Sequence, residues 1–436
     1  MKKLLPLIAG TMVAGAAMAQ STDIEFWYAF SDAPRSGWIE DRIAEFNAGL
    51  EADGLDYRIV GERKGSYPET LEAAVLAART GSAPHLVQLY EVGSQLAVDS
   101  GIFTPVGAVN EEIDFSDYIA PVLNYYTIGG EVHSIPFNSS SPILYVNTDL
   151  LEQIGLERDF RPDTFGELIE ACEALDASDV DASCFGMSLN GWFIEQWVSQ
   201  QNAELVNNGN GREARATEVN LTSDAVRTVF EFFQTMNDNG WYTYTGRLED
   251  WDGSDAIFTN QEAIFHITST ADLGNITAAA EEAGFTLGTG ELPIPDDSER
   301  NGVVIGGASI WLSAGHEQEE AEVATDFALF LTNTENMVSW HKLTGYYPVL
   351  NSSVDALTEE GWFEELPERN IAFTQLLNTV PNNASAGALM GTFQATRTIV
   401  EEALQKVFAG ESIDSALEEA KTLADAALAE YNANFD

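Results

Sequence analysis

Residues 24 to 90 alternate between two hydrophobic periods, and this alternation limits the fold more than any other feature. Ile24-Glu25-Phe26-Trp27-Tyr28 reads as a strand. Trp38 to Leu50 then carries Ile39, Ile43 and Phe46 at helical spacing. Tyr57 to Val60 is a second strand. Pro68 suits the start of a helix whose apolar face holds Leu71, Ala74, Val75 and Ala78, and Gly81 ends it. His85 to Tyr90 is a third strand. Strand, helix, strand, helix, strand predicts a mostly parallel sheet of the α/β class.

The pattern resumes after Gly129-Gly130. Strands are expected at Ile143 to Val146 and Ala263 to Ile267, and amphipathic helices at 164–174 and 223–237. Val303 to Ile305 leads into Gly306-Gly307, with Ser309 to Leu312 leading out. The C-terminal third reads as helical, and the last helix begins near Ser412. At 436 residues the chain exceeds one ordinary core, which stops growing near ~250–300 residues. No Pro-rich linker divides it. The expectation is therefore two α/β lobes with a cleft between them and several chain crossovers. One lobe takes 20–135 plus 273–325 and the other 136–272 plus 326–436.

Residues 1–19 have the form of a secretory signal. Lys2 and Lys3 precede the apolar run Leu4 to Ala17, and Ala17-Met18-Ala19 is a small-residue cleavage site. Cleavage after Ala19 and a bacterial periplasmic address are expected. No later stretch offers the ~18–20 apolar residues of a membrane span. Export puts Cys172 and Cys184 in an oxidising compartment, where they form one bridge or remain two thiols.

Seventy Asp and Glu against 20 Lys and Arg give a net charge of −50. Such a field excludes nucleic acid and anionic membrane as partners. Phosphate loops, dinucleotide fingerprints and H-E-x-x-H are all missing, and Gly307-Ala308-Ser309 lacks the closing Gly of a nucleophile elbow. The five histidines are scattered. These absences weigh against a metal, a cofactor and a secreted hydrolase.

Several segments have the texture of a ligand site. Glu91 follows the strand ending at Tyr90, and α/β sheets bind ligands at the carboxyl ends of strands. Lys64-Gly65-Ser66-Tyr67 enters a helix. Pro136-Phe137-Asn138-Ser139-Ser140-Ser141-Pro142 packs hydroxyls between prolines, and Ser269-Thr270 follows a strand. Ile305 to Ser309 lets backbone N–H groups approach a ligand closely. Gly345-Tyr346-Tyr347 is an aromatic turn, and Arg397 stands in a largely acidic C-terminal region. Taken singly, each also fits a turn, a half-buried aromatic or a solvated charge.

Together, with Arg79 to Pro84, Trp340-His341 and Arg397-Thr398-Ile399-Val400, they resemble the extracellular solute-binding proteins of ABC importers. That family includes the maltose-binding proteins, and the likeness is to its glycerophosphate-binding branch. The resemblance implies lobes that close like a hinge on a solute, no catalysis, and delivery to a membrane permease with its ATPase. It also implies that Tyr67, Glu91, Ser140, Ser269, Gly307, Tyr346 and Arg397 contact ligand. A monomer without a cofactor is expected. Arg397 with hydroxyl and backbone donors suits a phosphate, and Glu91 suits glycerol hydroxyls. One departure stands out. Where these proteins carry G-W-x-G-W, this chain has Ser188-Leu189-Asn190-Gly191-Trp192, which keeps Trp192 and replaces the first indole by Leu189. The space implies a head group on the phosphate, as in glycerophosphocholine, facing Tyr67, Trp192 and Tyr346 by cation–π contact. The alternatives are the monoester sn-glycerol-3-phosphate, or an oligosaccharide.

Overall fold

The computed structural model describes residues 21–365 and 367–435; the signal segment and its cleavage point lie outside the described residues. Two mixed sheets organise the chain. The first runs in the order Tyr57–Arg63, Thr22–Tyr28, Leu86–Tyr90, Gly306–Ser313, Phe103–Thr104, and Ile135–Ser140 also pairs with Gly306–Ser313. The second runs Tyr242–Thr243, Ser183–Met187, Ala263–Ser269, Pro142–Asn147, Leu287–Gly290.

The expected parallel pairing holds within 22–90, where the first three strands are parallel. It does not hold for strands that return from far along the chain. Gly306–Ser313 lies antiparallel to both Leu86–Tyr90 and Ile135–Ser140. Pro142–Asn147 lies antiparallel to Ala263–Ser269. A βαβ crossover imposes parallel pairing only on strands joined through one helix. Strands separated by a whole lobe carry no such constraint, so each sheet is mixed.

Ser141 is the switch between sheets, with Ile135–Ser140 in the first and Pro142–Asn147 in the second. The expected divisions at 135/136, 272/273 and 325/326 differ from strand membership. Residues 135–140 pair in the first sheet and 287–290 in the second. Helix Gln318–Leu331 packs whole against strands of the first sheet.

Caps fix the helices that enter the site. Asp32 accepts from Arg35 N and starts Ala33–Asp53, which ends at left-handed Gly54. Ser66 and Glu69 form a capping box at the start of Tyr67–Arg79. Asn190 Oδ1 accepts from Trp192 N at 2.8 Å and begins Gly191–Gln200. Every residue of that last helix is buried, so it lies inside the second half of the molecule and not on its surface. Helices Asp224–Asp238 and Phe393–Phe408 pack against it and each other, and Ile413–Asn432 packs against those two. Cys172 on helix Phe165–Asp176 and Cys184 on strand Ser183–Met187 are joined by a disulfide, with Cα atoms 5.3 Å apart. No described helix is long and apolar enough to cross a membrane.

Candidate functional site

The carboxyl end of strand Leu86–Tyr90 turns straight into a short 3₁₀ segment, Glu91–Gly93, which packs against helix Phe393–Phe408. This contact brings Glu91 to Arg397. Arg397 Nη2 donates to Glu91 Oε1 at 2.8 Å, and both residues are buried. A second carboxylate is already there. Arg397 Nε donates to Glu195 Oε1 at 2.6 Å and Nη2 to Glu195 Oε2 at 2.8 Å, a fork-to-fork pair. Burial alone would lower the Arg397 pKa, but Glu195 and Glu91 outweigh it and hold the guanidinium charged. Burial pushes the Glu195 carboxyl above its usual value, and Arg397 pulls it back only in part. Nη1 of Arg397 makes no hydrogen bond among the described residues. Beside the guanidinium lies a small cavity of about 10 Å³, lined among others by Gly191, Glu195, Phe393 and Thr396.

The aromatic part of the site continues from Glu91. Tyr90 stacks on Tyr67, with centroids 5.6 Å apart and planes at 10°, and its hydroxyl donates to Gln394. The Tyr67 hydroxyl lies 3.4 Å from that of Tyr346 and accepts from Asn138 Nδ2 at 2.7 Å. Asn138 is held in turn by Gln88, whose own oxygen accepts from Ala29 N. Burial raises the pKa of both tyrosines, so they are neutral hydroxyls. Tyr346 stacks on Trp340 and lies 5.5 Å under the Arg35 guanidinium. Arg35 donates to Ala271 O and Asp272 Oδ1, both at 3.1 Å, and so ties helix Ala33–Asp53 to the end of the second sheet.

The Gly306-Gly307 pair sits between these groups. Gly307 has φ +104°, and a Cβ there would fall 1.9 Å from Asn138 O. A Cβ on Gly306 would strike the Trp192 indole at 2.6 Å. Glycine is required at both positions, at Gly307 for conformation and at both for close approach. Trp192 faces Trp251 at 6.1 Å, and its Nε1 is a buried donor without a partner among the described residues. Ser140 lies opposite Gly306 in the ladder, buried. Ser269 lies opposite Pro142, and its Oγ accepts from Ala271 N. Leu189 is buried and pairs by a backbone bridge with Leu248, one turn before Trp192.

Of the expected residues, Arg397 bonds Glu91, Tyr67 lies against Tyr346 and stacks on Tyr90, and the Gly306-Gly307 pair, opposite Ser140, borders Trp192 and Asn138, whereas Leu189 and Ser269 make no hydrogen bond to the others among the described residues. Sequence reasoning missed Glu195, Arg35 and Asn138. The signal for Glu195 was present, as a carboxylate inside the otherwise apolar run Trp192-Phe193-Ile194-Glu195-Gln196-Trp197. Asn138 stood inside the serine-rich segment. Arg35 had no signal beyond its place in a helix start.

Two sheets whose strand ends face one another across buried polar and aromatic side chains define a two-lobed binding protein. The family of bacterial extracellular solute-binding proteins matches residues 41–371. The chain belongs to that family. Over 431 residues it is 30% identical to the sn-glycerol-3-phosphate-binding periplasmic protein UgpB of Escherichia coli, covering 96% of this chain and 95% of that one. The protein of the same name from Pectobacterium atrosepticum is 30% identical over 426 residues, covering 94% and 93%. Among solved structures, UgpB from Mycobacterium tuberculosis in complex with glycerophosphocholine superposes with a TM-score of 0.76 at 21% identity, covering 94% and 99%. The GacH receptor of Streptomyces glaucescens, solved unliganded and with acarbose, gives 0.76 at 15% identity, covering 94% and 98%. These two likenesses extend the fold. As a member of this family the chain is an exported solute-capturing component of an ABC importer, acting with a permease and an ATPase.

Proposed function

We propose that this protein captures a glycerophosphodiester such as glycerophosphocholine, and with lower affinity sn-glycerol-3-phosphate, by closing its two lobes over the ligand. The observation that carries this reading is the buried Arg397, bound by Glu91 from the other half of the molecule and with Nη1 uncommitted among the described residues. That nitrogen is the donor for a phosphate oxygen. Trp192 Nε1 and the Ser140 hydroxyl are neutral donors for the rest of the group. Glu91 uses one oxygen on Arg397, which leaves the other for a glycerol hydroxyl. The likeness to sn-glycerol-3-phosphate-binding relatives along 96% of the chain supports the same ligand class. Leu189 in place of an indole supports the diester, since the smaller side chain leaves room for a head group beside Trp192 and Tyr67. The quaternary ammonium of such a head group gains cation–π attraction there.

The protein binds without catalysis, as a monomer, after cleavage behind Ala19. The roles of Ser269, Gly307 and Tyr346 are to close the ligand's far side with a hydroxyl, a backbone N–H and a phenol. Competitive titration tests the ligand preference. Glycerophosphocholine should displace sn-glycerol-3-phosphate, and Leu189→Trp should reverse the order. A wild-type protein that holds the monoester far more tightly refutes the diester. An oligosaccharide is the second reading, since the chain's nine tryptophans suit sugar stacking. Binding of a maltose-type sugar with no response to either phosphate would establish it.

A further inference from the structure

Glu195 lies outside the set that the resemblance supplied, yet it makes more contacts to Arg397 than Glu91 does. Both of its oxygens accept from the guanidinium, at 2.6 and 2.8 Å. Its side chain and that of Glu91 are almost fully buried, at 8% and 5% exposure. The titratable groups facing Glu195 are Arg397, Glu91 and Glu401, and burial pushes Glu401 up to about 8, so that it adds no full charge near neutral pH. Two carboxylates and one guanidinium carry a net charge of about −1 in a desolvated place, where charge is screened weakly.

This changes what Arg397 can select. A guanidinium alone would favour the ligand of highest negative charge. A guanidinium already matched twice cannot: a phosphate monoester with two charges brings the cluster to about −3, and a diester with one charge to about −2. Resting on the glycerophosphate reading above, we infer that Glu195 is a specificity-determining residue which discriminates against dianionic phosphate monoesters and leaves monoanionic phosphodiesters preferred. Leu189 supplies room for a substituent on the phosphate, and Glu195 penalises the charge that an unsubstituted phosphate retains. The two act on different properties of the ligand, so they can be separated.

The separating probe is glycerol 3-(methyl phosphate), a diester with no ammonium and almost no added bulk. Ligand-stripped wild-type protein and Glu195→Gln are titrated with it and with glycerol 3-phosphate, at a pH where the monoester is doubly ionised. Wild type should hold the methyl diester about tenfold or more tightly over the monoester, and Glu195→Gln should erase about tenfold of that preference. A Glu195 that merely orients Arg397 would weaken both ligands by the same factor, and that result overturns the inference. Where the variant does not fold, the wild type decides: a monoester bound as tightly as its methyl ester overturns the inference. Wild type that binds neither ligand would sink the glycerophosphate reading itself, and this inference with it.

Discussion

Two arginines tie the halves of the molecule together, and they do so by different physics. Arg397 is almost enclosed, 9% exposed, with a carboxylate on each side and little solvent to share the charge. Arg35 is 18% exposed, bonds the equally half-buried Asp272 carboxylate and one carbonyl, and spreads over the rings of Phe30 and Tyr346. Its partner Asp272 is pushed up to about 6, first by burial and then by Asp255. Asp272 can therefore shed its charge within the physiological range. The Arg397 cluster has two carboxylates to neutralise, and one guanidinium serves both. The comparison teaches that the Arg35 end is a tolerant structural tie, whereas the Arg397 end is a charge-balanced receptor.

Removing each arginine should expose the contrast. Arg397→Ala strands Glu91 and Glu195 in the interior, and urea unfolding should show a loss of about 3–5 kcal/mol, with phosphate-ligand binding gone. A loss below about 1 kcal/mol would mean that the cluster is wetter than its burial indicates. Arg35→Ala should cost about 1–3 kcal/mol at pH 7.5 and less at pH 5.5, because unpaired Asp272 then takes up a proton. An equal loss at both pH values would show that stacking on Tyr346, not the ion pair, is what Arg35 contributes.

A smaller effect belongs to the floor of the Arg397 end. Glu401, one helical turn after Arg397, accepts from Gly191 N at 2.7 Å. Burial pushes its pKa up to about 8. Between the ordinary glutamate value and about 8, the folded protein binds a proton that the unfolded chain has released. Stability is therefore full at acid pH and falls as pH rises through that window. His341, held down to about 4 by burial, acts in the opposite sense between about 4 and 6.5. The clean interval is pH 6.5 to 8. There wild type should lose about 1–2 kcal/mol, and Glu401→Gln should flatten the slope. A wild-type profile that is flat there, or rises, contradicts the protonated Glu401.

Local signals carried well from sequence to structure. Ser66, Ser223 and Ser412 cap helices where hydroxyls precede amphipathic runs. The Gly306-Gly307 pair meets backbone and an indole that leave no space for a side chain. Interactions between distant segments did not carry. Nothing in Gly306–Ser313 says that it returns antiparallel between Leu86–Tyr90 and Ile135–Ser140, because register is settled by packing across two lobes. Glu195 was hidden among 70 acidic residues, and only its apolar flanks set it apart. Arg35 followed Pro34 at a helix start and looked like ordinary capping chemistry.

The most direct test is calorimetric titration of ligand-stripped protein with glycerophosphocholine and with sn-glycerol-3-phosphate in separate runs. Saturable heat of one-to-one stoichiometry with glycerophosphocholine, and a weaker isotherm with the monoester, is the predicted result. Saturable heat with the monoester alone would contradict the roles given to Leu189 and Glu195. No heat with either ligand would contradict the glycerophosphate assignment.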